Sequence, residues 1–269
     1  MKICVLGNSH VGSLKRGWDT IKGDYPQHEI TFFAQRSDGL EGLIAHDGKL
    51  IADNEKLAKA LEFTSGGKKA IDPQEHDIFL IYGAGLTINL VAHDQFYSKA
   101  VIESSLNDLV SNTLSFSLLK RLRASTDKRI FIGHLPLLPA IEVVSAAFPV
   151  EYIARADLIN EVTYHPLNAV LVRQPSSTIV NGKNTDPLFS KGSKALAVGD
   201  SGDNVLHAES DSDHMNDKFG EIWLEEFLQE YVEKMGNPTL TTPLSAGATT
   251  YAQGRSKERA QWLNEPSRP

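Results

Sequence analysis

Cysteine is almost missing from this chain: Cys4 stands alone inside the first apolar run. No intrachain disulfide can form, so nothing marks the chain for an oxidising compartment. Long hydrophobic runs are missing too. No stretch approaches the roughly 20 apolar residues that a membrane-crossing helix needs, and the apolar run in MKICVLGNSH is too short for a signal-peptide core. The expectation is a soluble, cytoplasmic protein without a membrane partner. Basic clusters are also lacking. Lys and Arg number 27 against 34 Asp and Glu, a net charge of −7. With no run of positive charge, nucleic acid is excluded as the main partner. His, Cys and carboxylate spacings give no zinc pattern, and an EF-hand register begun at Asp211 puts Met215 and Ile222 at ligand places. No metal and no cofactor is expected.

What is present is an ordinary globular composition, 41% hydrophobic and 23% charged over 269 residues, enough for one sizeable core. Apolar, β-branched or aromatic runs at 2–7 (KICVLG), 28–34 (HEITFFA), 77–82 (DIFLIY), 129–133 (RIFIG) and 169–173 (AVLVR) predict five strands. Helical spacing predicts a helix from Val11, one long or two consecutive helices over 95–123, a helix over 140–161 interrupted by Pro149, and a final helix over 219–235. A polar region with a small hairpin near 49–51 follows the second strand, and 174–213 reads as loop. Strands alternating with helices predict an α/β fold with a parallel sheet covered on both faces. Ligands of such sheets bind beyond the carboxyl ends of the strands. Residues 236–269, rich in Pro, Thr, Ser and Gly, read as a tail or arm after a domain over 1–235.

The first strand ends in Gly7-Asn8-Ser9-His10. As a P-loop, Gly7 to Ser13 fails, because Ser13 and Leu14 occupy the places of the lysine and its following Ser or Thr. A dinucleotide fingerprint fails as well, with Ser9 at its middle glycine. Ser9 can cap the following helix, or it can be a nucleophile whose neighbouring helix N–H groups hold an oxyanion. A nucleophilic serine needs a base and the base needs a carboxylate. Asp211 and His214, three apart in a polar loop before the last helix, can supply both. Gly199-Asp200-Ser201 spells a tempting motif but lies too close to His214 to leave room for the sheet, and the surrounding acidic residues read as a solvated loop.

Together, ICVLGNSHVGSL and DSDHMNDKFGEIW resemble the first and last sequence blocks of the SGNH (GDSL-like) hydrolases, with Asn8 in place of the more usual Asp. The resemblance implies a three-layer flavodoxin-like fold and a catalytic triad of Ser9, Asp211 and His214. It also implies three oxyanion donors: the Ser9 N–H, a glycine N–H after the second strand (Gly39, or else Gly42), and an Asn after the third. There the chain departs from the family, reading Gly83-Ala84-Gly85 where Gly-x-Asn is expected. Losing one such donor typically costs about 3–4 kcal/mol of transition-state stabilisation; Asn89 or the Gly85 N–H are candidate substitutes. His10, Gly83, Gly85 and His134 are candidate substrate contacts. The activity implied is a serine esterase acting on a small O-acyl ester, acetyl on a carbohydrate being the suggested case. Alternatives are an O-acyltransferase on the same scaffold and a catalytically silent carbohydrate-binding or assembly protein.

Overall fold

The computed structural model describes residues 1–88 and 97–235. Ten strands and six α-helices occur among them: β1 (Lys2–Gly7), α1 (Val11–Ile21), β2 (Glu29–Ala34), β3 (Leu43–His46), β4 (Lys49–Ala52), α2 (Glu55–Ser65), β5 (Ala70–Ile71), β6 (Ile78–Tyr82), α3 (Lys99–Ser111), α4 (Leu114–Arg123), β7 (Ile130–Gly133), α5 (Val150–Ile159), β8 (Ala169–Val172), β9 (Ile179–Val180), β10 (Asn184–Thr185) and α6 (Asp217–Glu226). Five of the strands, in the order β2-β1-β6-β7-β8, form one sheet whose pairs are all parallel. Counted along the chain, that order is 2-1-3-4-5, the flavodoxin-like winding, with its switch point between β1 and β6.

Period-two alternation sends successive side chains of each strand to opposite faces. Cys4, Leu6, Phe79, Ile81, Ile130, Ile132, Ala169 and Leu171 share one apolar core with residues of α2, α3, α4 and α5. The alternate residues meet α6 and the residue that follows it: Tyr82 stands edge-on to Trp223 at 4.8 Å, and Phe131 edge-on to Phe227 at 5.2 Å. The result is a three-layer α/β fold.

The five strands fall where the apolar runs predict them, within a residue at either end. The helix expected over 140–161 is only half there. Residues 140–149 are irregular, and α5 begins at Val150, behind Pro149. Backbone partners outside the segment hold it away from helix: Asn181 Oδ1 accepts from the N–H groups of Val144 and Ser145 at 2.9 and 3.1 Å, and Ala140 N–H donates to Thr185 O at 2.9 Å. The 95–123 pattern resolves into two helices, because the Thr113 hydroxyl accepts from Phe116 N–H and starts α4 afresh; residues 95 and 96 lie outside the described residues. The hairpin near 49–51 is β3–β4, extended by β5. Helix α2 carries no sequence expectation. It is built from Leu57, Ala60, Leu61 and Thr64, all buried at helical spacing, with Asn54 Oδ1 accepting from Leu57 N–H at 2.9 Å.

The last helix starts at Asp217, because Asn216 caps it two residues earlier than the apolar pattern indicates. Its winding widens from Phe227 to Glu233. There the chain divides into two units, Met1–Phe227 and Leu228–Pro269, where the sequence suggests a boundary after 235. The second unit is described to Met235 and is helical that far; the expected tail, 236–269, lies outside the described residues. No described helix is long and apolar enough to cross a membrane.

Helices α1 and α6 touch backbone to backbone. A Cβ on Gly220 would lie 2.0 Å from Ser13 O, and one on Gly17 would lie 2.5 Å from Glu221 N. Arg16 Nε donates to Asp217 Oδ1 at 2.6 Å across the same seam. Gly220→Ala is therefore expected to destabilise the protein by about 1–3 kcal/mol through overpacking, although helix propensity alone favours Ala by about 1 kcal/mol. Gly23→Ala, with nothing within 4 Å, is expected to stay within about 0.5 kcal/mol of the parent. Urea unfolding of the two variants checks this; equal stabilities would contradict the close contact.

Candidate active site

Strand β1 delivers its last residue, Gly7, to the carboxyl edge of the sheet, and a tight turn follows. Val11 N–H donates to Asn8 O and Gly12 N–H to Ser9 O, both at 3.1 Å, so Ser9 sits in the turn that feeds α1. Its hydroxyl does not cap that helix: His10 is the cap residue and contributes no side-chain bond. Asn8 is buried, and its Oδ1 accepts the His10 N–H at 3.3 Å. Gly83, beyond β6, lies against this turn. Its φ is +75°, and a Cβ there would fall 2.5 Å from Asn8 Oδ1.

The second half of the site comes from the approach to α6. Asn216 fixes that approach: its Nδ2 donates to Leu188 O and Lys191 O, each at 3.0 Å, while its N–H donates to Phe189 O at 2.7 Å. Just before it, Asp211 Oδ1 accepts the N–H groups of Asp213 and His214 at 3.0 and 2.8 Å. This turn aims the carboxylate at the imidazole of its own loop, with His214 Nδ1 3.1 Å from Asp211 Oδ2. The opposite nitrogen, Nε2, stands 2.9 Å from Ser9 Oγ. Ser9, His214 and Asp211 thus form a continuous hydroxyl–imidazole–carboxylate series, half-buried along its length.

A carboxylate on Nδ1 fixes the tautomer with the proton on that side, leaving the Nε2 lone pair to face the serine O–H. Burial opposes ionisation of Asp211. The hydrogen bonds from the His214 backbone, the His214 ring and the Asp213 backbone outweigh it and hold the carboxyl below its usual range. His214 is also flanked by two further imidazoles. His10 stacks on it at 5.0 Å and 17°, and His207 lies at 4.1 Å and 36°. Burial first, and the neighbouring His214 second, lower His10 to about 3, so it is neutral at pH 7. The arrangement can take a proton from a hydroxyl and hold it on a carboxylate-backed ring.

The other expected contacts divide. The Ser9 amide has no acceptor among the described residues, and neither has that of Gly85, which is exposed with φ +80°. Gly39 N–H donates to Arg36 O at 3.3 Å within its own turn, so in this conformation that donor is engaged. Gly83 N–H is engaged as well, with Gly133 O at 2.9 Å, which leaves Gly83 as packing support for Asn8. Asn89 lies outside the described residues. His134 is corrected from a substrate contact to a structural residue. It is buried, its Nδ1 bonds Leu135 O, and its Nε2 meets Tyr152 Oη at 2.7 Å. The same Tyr152 oxygen accepts the Gln174 N–H. Both His134 nitrogens are used up by protein groups.

Gly199-Asp200-Ser201 forms a turn whose Asp200, with Asp203, pairs with Arg36 at 2.8 and 2.9 Å. That same guanidinium donates to Leu196 O. Sequence reasoning missed His207 and its partner Ser193, whose oxygen lies 3.2 Å from His207 Nδ1; the one available signal is a histidine four residues before Asp211. Two surface concavities, one lined by residues including Lys2, Thr31 and His76 and the other by residues including Lys15, Arg16 and Leu196, contain no member of the Ser9–His214–Asp211 series.

No protein-family model and no curated protein matches this chain. Among solved structures, the water-forming NADH oxidase from Lactobacillus brevis bound to NADH aligns with 64% of this chain at 11% identity and a TM-score of 0.18. The aligned part spans 46% of the oxidase. A likeness at that level bears on neither fold nor function.

Burial also lowers His134, to about 4. The folded state then binds fewer protons than the unfolded chain between that value and about 6.5, so its contribution to stability is present above about pH 6.5 and is lost as pH falls toward 4. The expected slope is up to about 1.4 kcal/mol per pH unit. Unfolding free energies of the parent and His134→Gln between pH 7 and 4.5 check it. Curves of equal slope would contradict a neutral, buried His134.

Proposed function

We propose that this chain is a serine esterase of the SGNH type, hydrolysing a small O-acyl ester through an acyl-enzyme. The observation that carries the reading is the 2.9 Å approach of Ser9 Oγ to His214 Nε2, with Asp211 on the other side of the ring. As Ser9 Oγ forms its bond to the ester carbonyl carbon, its proton passes to His214 Nε2. Asp211 holds the imidazolium. The free amide of Ser9, at the positive end of α1, faces the developing oxyanion. Collapse of the tetrahedral species breaks the bond to the alcohol, which leaves with the proton from His214. Water then attacks the acyl carbon, giving its proton to Nε2, and the acid departs as Ser9 recovers its hydrogen.

The resemblance of both sequence blocks to SGNH hydrolases supports an acetyl or similar group on a carbohydrate as substrate. A sugar acceptor in place of water would make the same chemistry an O-acyltransferase. A second reading, a catalytically silent carbohydrate-binding or assembly protein, draws on one observation: the Gly39 amide is bonded within its own turn and Gly85 stands where an Asn donor is expected.

Ser9→Ala is expected to lower the turnover of p-nitrophenyl acetate by about three orders of magnitude or more, with the melting temperature unchanged. Full activity in the variant would remove Ser9 as nucleophile. No turnover in the folded parent would favour the silent reading.

A further inference from the structure

His207 stands against the hydroxyl–imidazole–carboxylate series without belonging to it. Its Nδ1 faces Ser193 Oγ, and its N–H donates to Ser193 O at 3.0 Å. Its Nε2 has no protein partner among the described residues and is not sealed from solvent. One ring nitrogen from each of His207 and His214 and one carboxylate oxygen of Asp211 lie within 4.8 Å of one another; this is the one His, Cys or carboxylate group of its kind among the described residues. Two neutral imidazoles and a carboxylate suit zinc and its neighbours and suit magnesium or calcium poorly, since those take oxygen ligands. Zn–N and Zn–O bonds of about 2.0–2.2 Å set tetrahedral ligand atoms ~3.4 Å apart. Side-chain rotation, with His207 anchored at one nitrogen, has only to close the remaining gap.

We propose that His207, Asp211 and His214 form a binding site for a divalent transition-metal cation, zinc foremost, and that its occupation silences Ser9. The silencing follows from the bonds already present. His214 holds Asp211 through Nδ1 and Ser9 through Nε2. An ion that takes Nε2 displaces the serine. An ion that takes Nδ1 displaces the carboxylate and leaves the ring hydrogen on Nε2, so Nε2 has no lone pair with which to take the serine proton. The silencing rests on the esterase reading; the binding of the ion does not.

The test uses the full, tag-free chain stripped of metal by chelator, with zinc uptake measured by competition against a chromophoric chelator. One zinc per chain is expected, without displacement by millimolar magnesium. His207→Gln, matched to the parent in melting temperature, is expected to bind about tenfold more weakly or worse. Zinc is also expected to inhibit p-nitrophenyl acetate turnover by the parent, reversibly with chelator, at the concentrations that fill the site. Equal zinc binding by parent and variant would mean an adventitious ion only and would overturn the site, as would no uptake by the parent. Site-specific binding with undiminished turnover would overturn the silencing. Site-specific binding in a protein without ester turnover would support the site while removing the esterase reading.

Discussion

The backbone contact between α1 and α6 is the constraint on which the site depends. Ser9 lies two residues before one helix and His214 three residues before the other, so their distance is set by how those helices meet. Glycine at positions 17 and 220 lets the main chains approach where any side chain would intrude. The Arg16–Asp217 pair fixes the same seam. Parallel strands do the rest: β1 and β6 both end at the carboxyl edge, and the Gly83 turn packs closely on Asn8, the residue before the serine.

On that frame, local hydrogen bonding sets the geometry of the hydroxyl–imidazole–carboxylate series. A surface Asp and His three residues apart would gain little from each other in water. Here two backbone N–H groups hold the carboxylate in place before the imidazole meets it. Neutral His10 stacks on the His214 ring at 5.0 Å, and His207 lies tilted against it at 4.1 Å. The surrounding loop from 194 to 203 is tied down by Arg16 and Arg36, each reaching main-chain carbonyls as well as carboxylates. Three carboxylates of this acidic stretch, Asp200, Asp203 and Asp217, are thereby paired with the two arginines.

Much of this was legible in the chain. Continuous apolar runs such as DIFLIY mark strands buried on both faces, and that signal does not depend on tertiary context. That Ser9, Asp211 and His214 come together was legible because a hydroxyl, an imidazole and a carboxylate stood at the two ends of the strand series. Helix α2 was not, since four buried positions in a polar segment give a weak period. The 140–149 segment misled because its apolar spacing is helical while Asn181 and Thr185, some forty residues on, claim its backbone groups. His134 misled for a related reason: its place after β7 suggests the site, but Tyr152 and Leu135 engage both its nitrogens. His207 was missed although it stands four residues before Asp211, because its spacing alone does not show that its ring turns toward His214.

The most direct measurement is covalent labelling of the folded parent with a fluorophosphonate, followed by peptide mass spectrometry. The account predicts a single stoichiometric adduct on Ser9, lost in a His214→Ala variant that remains folded. An adduct on another serine such as Ser201, or no adduct on a folded protein, would contradict it.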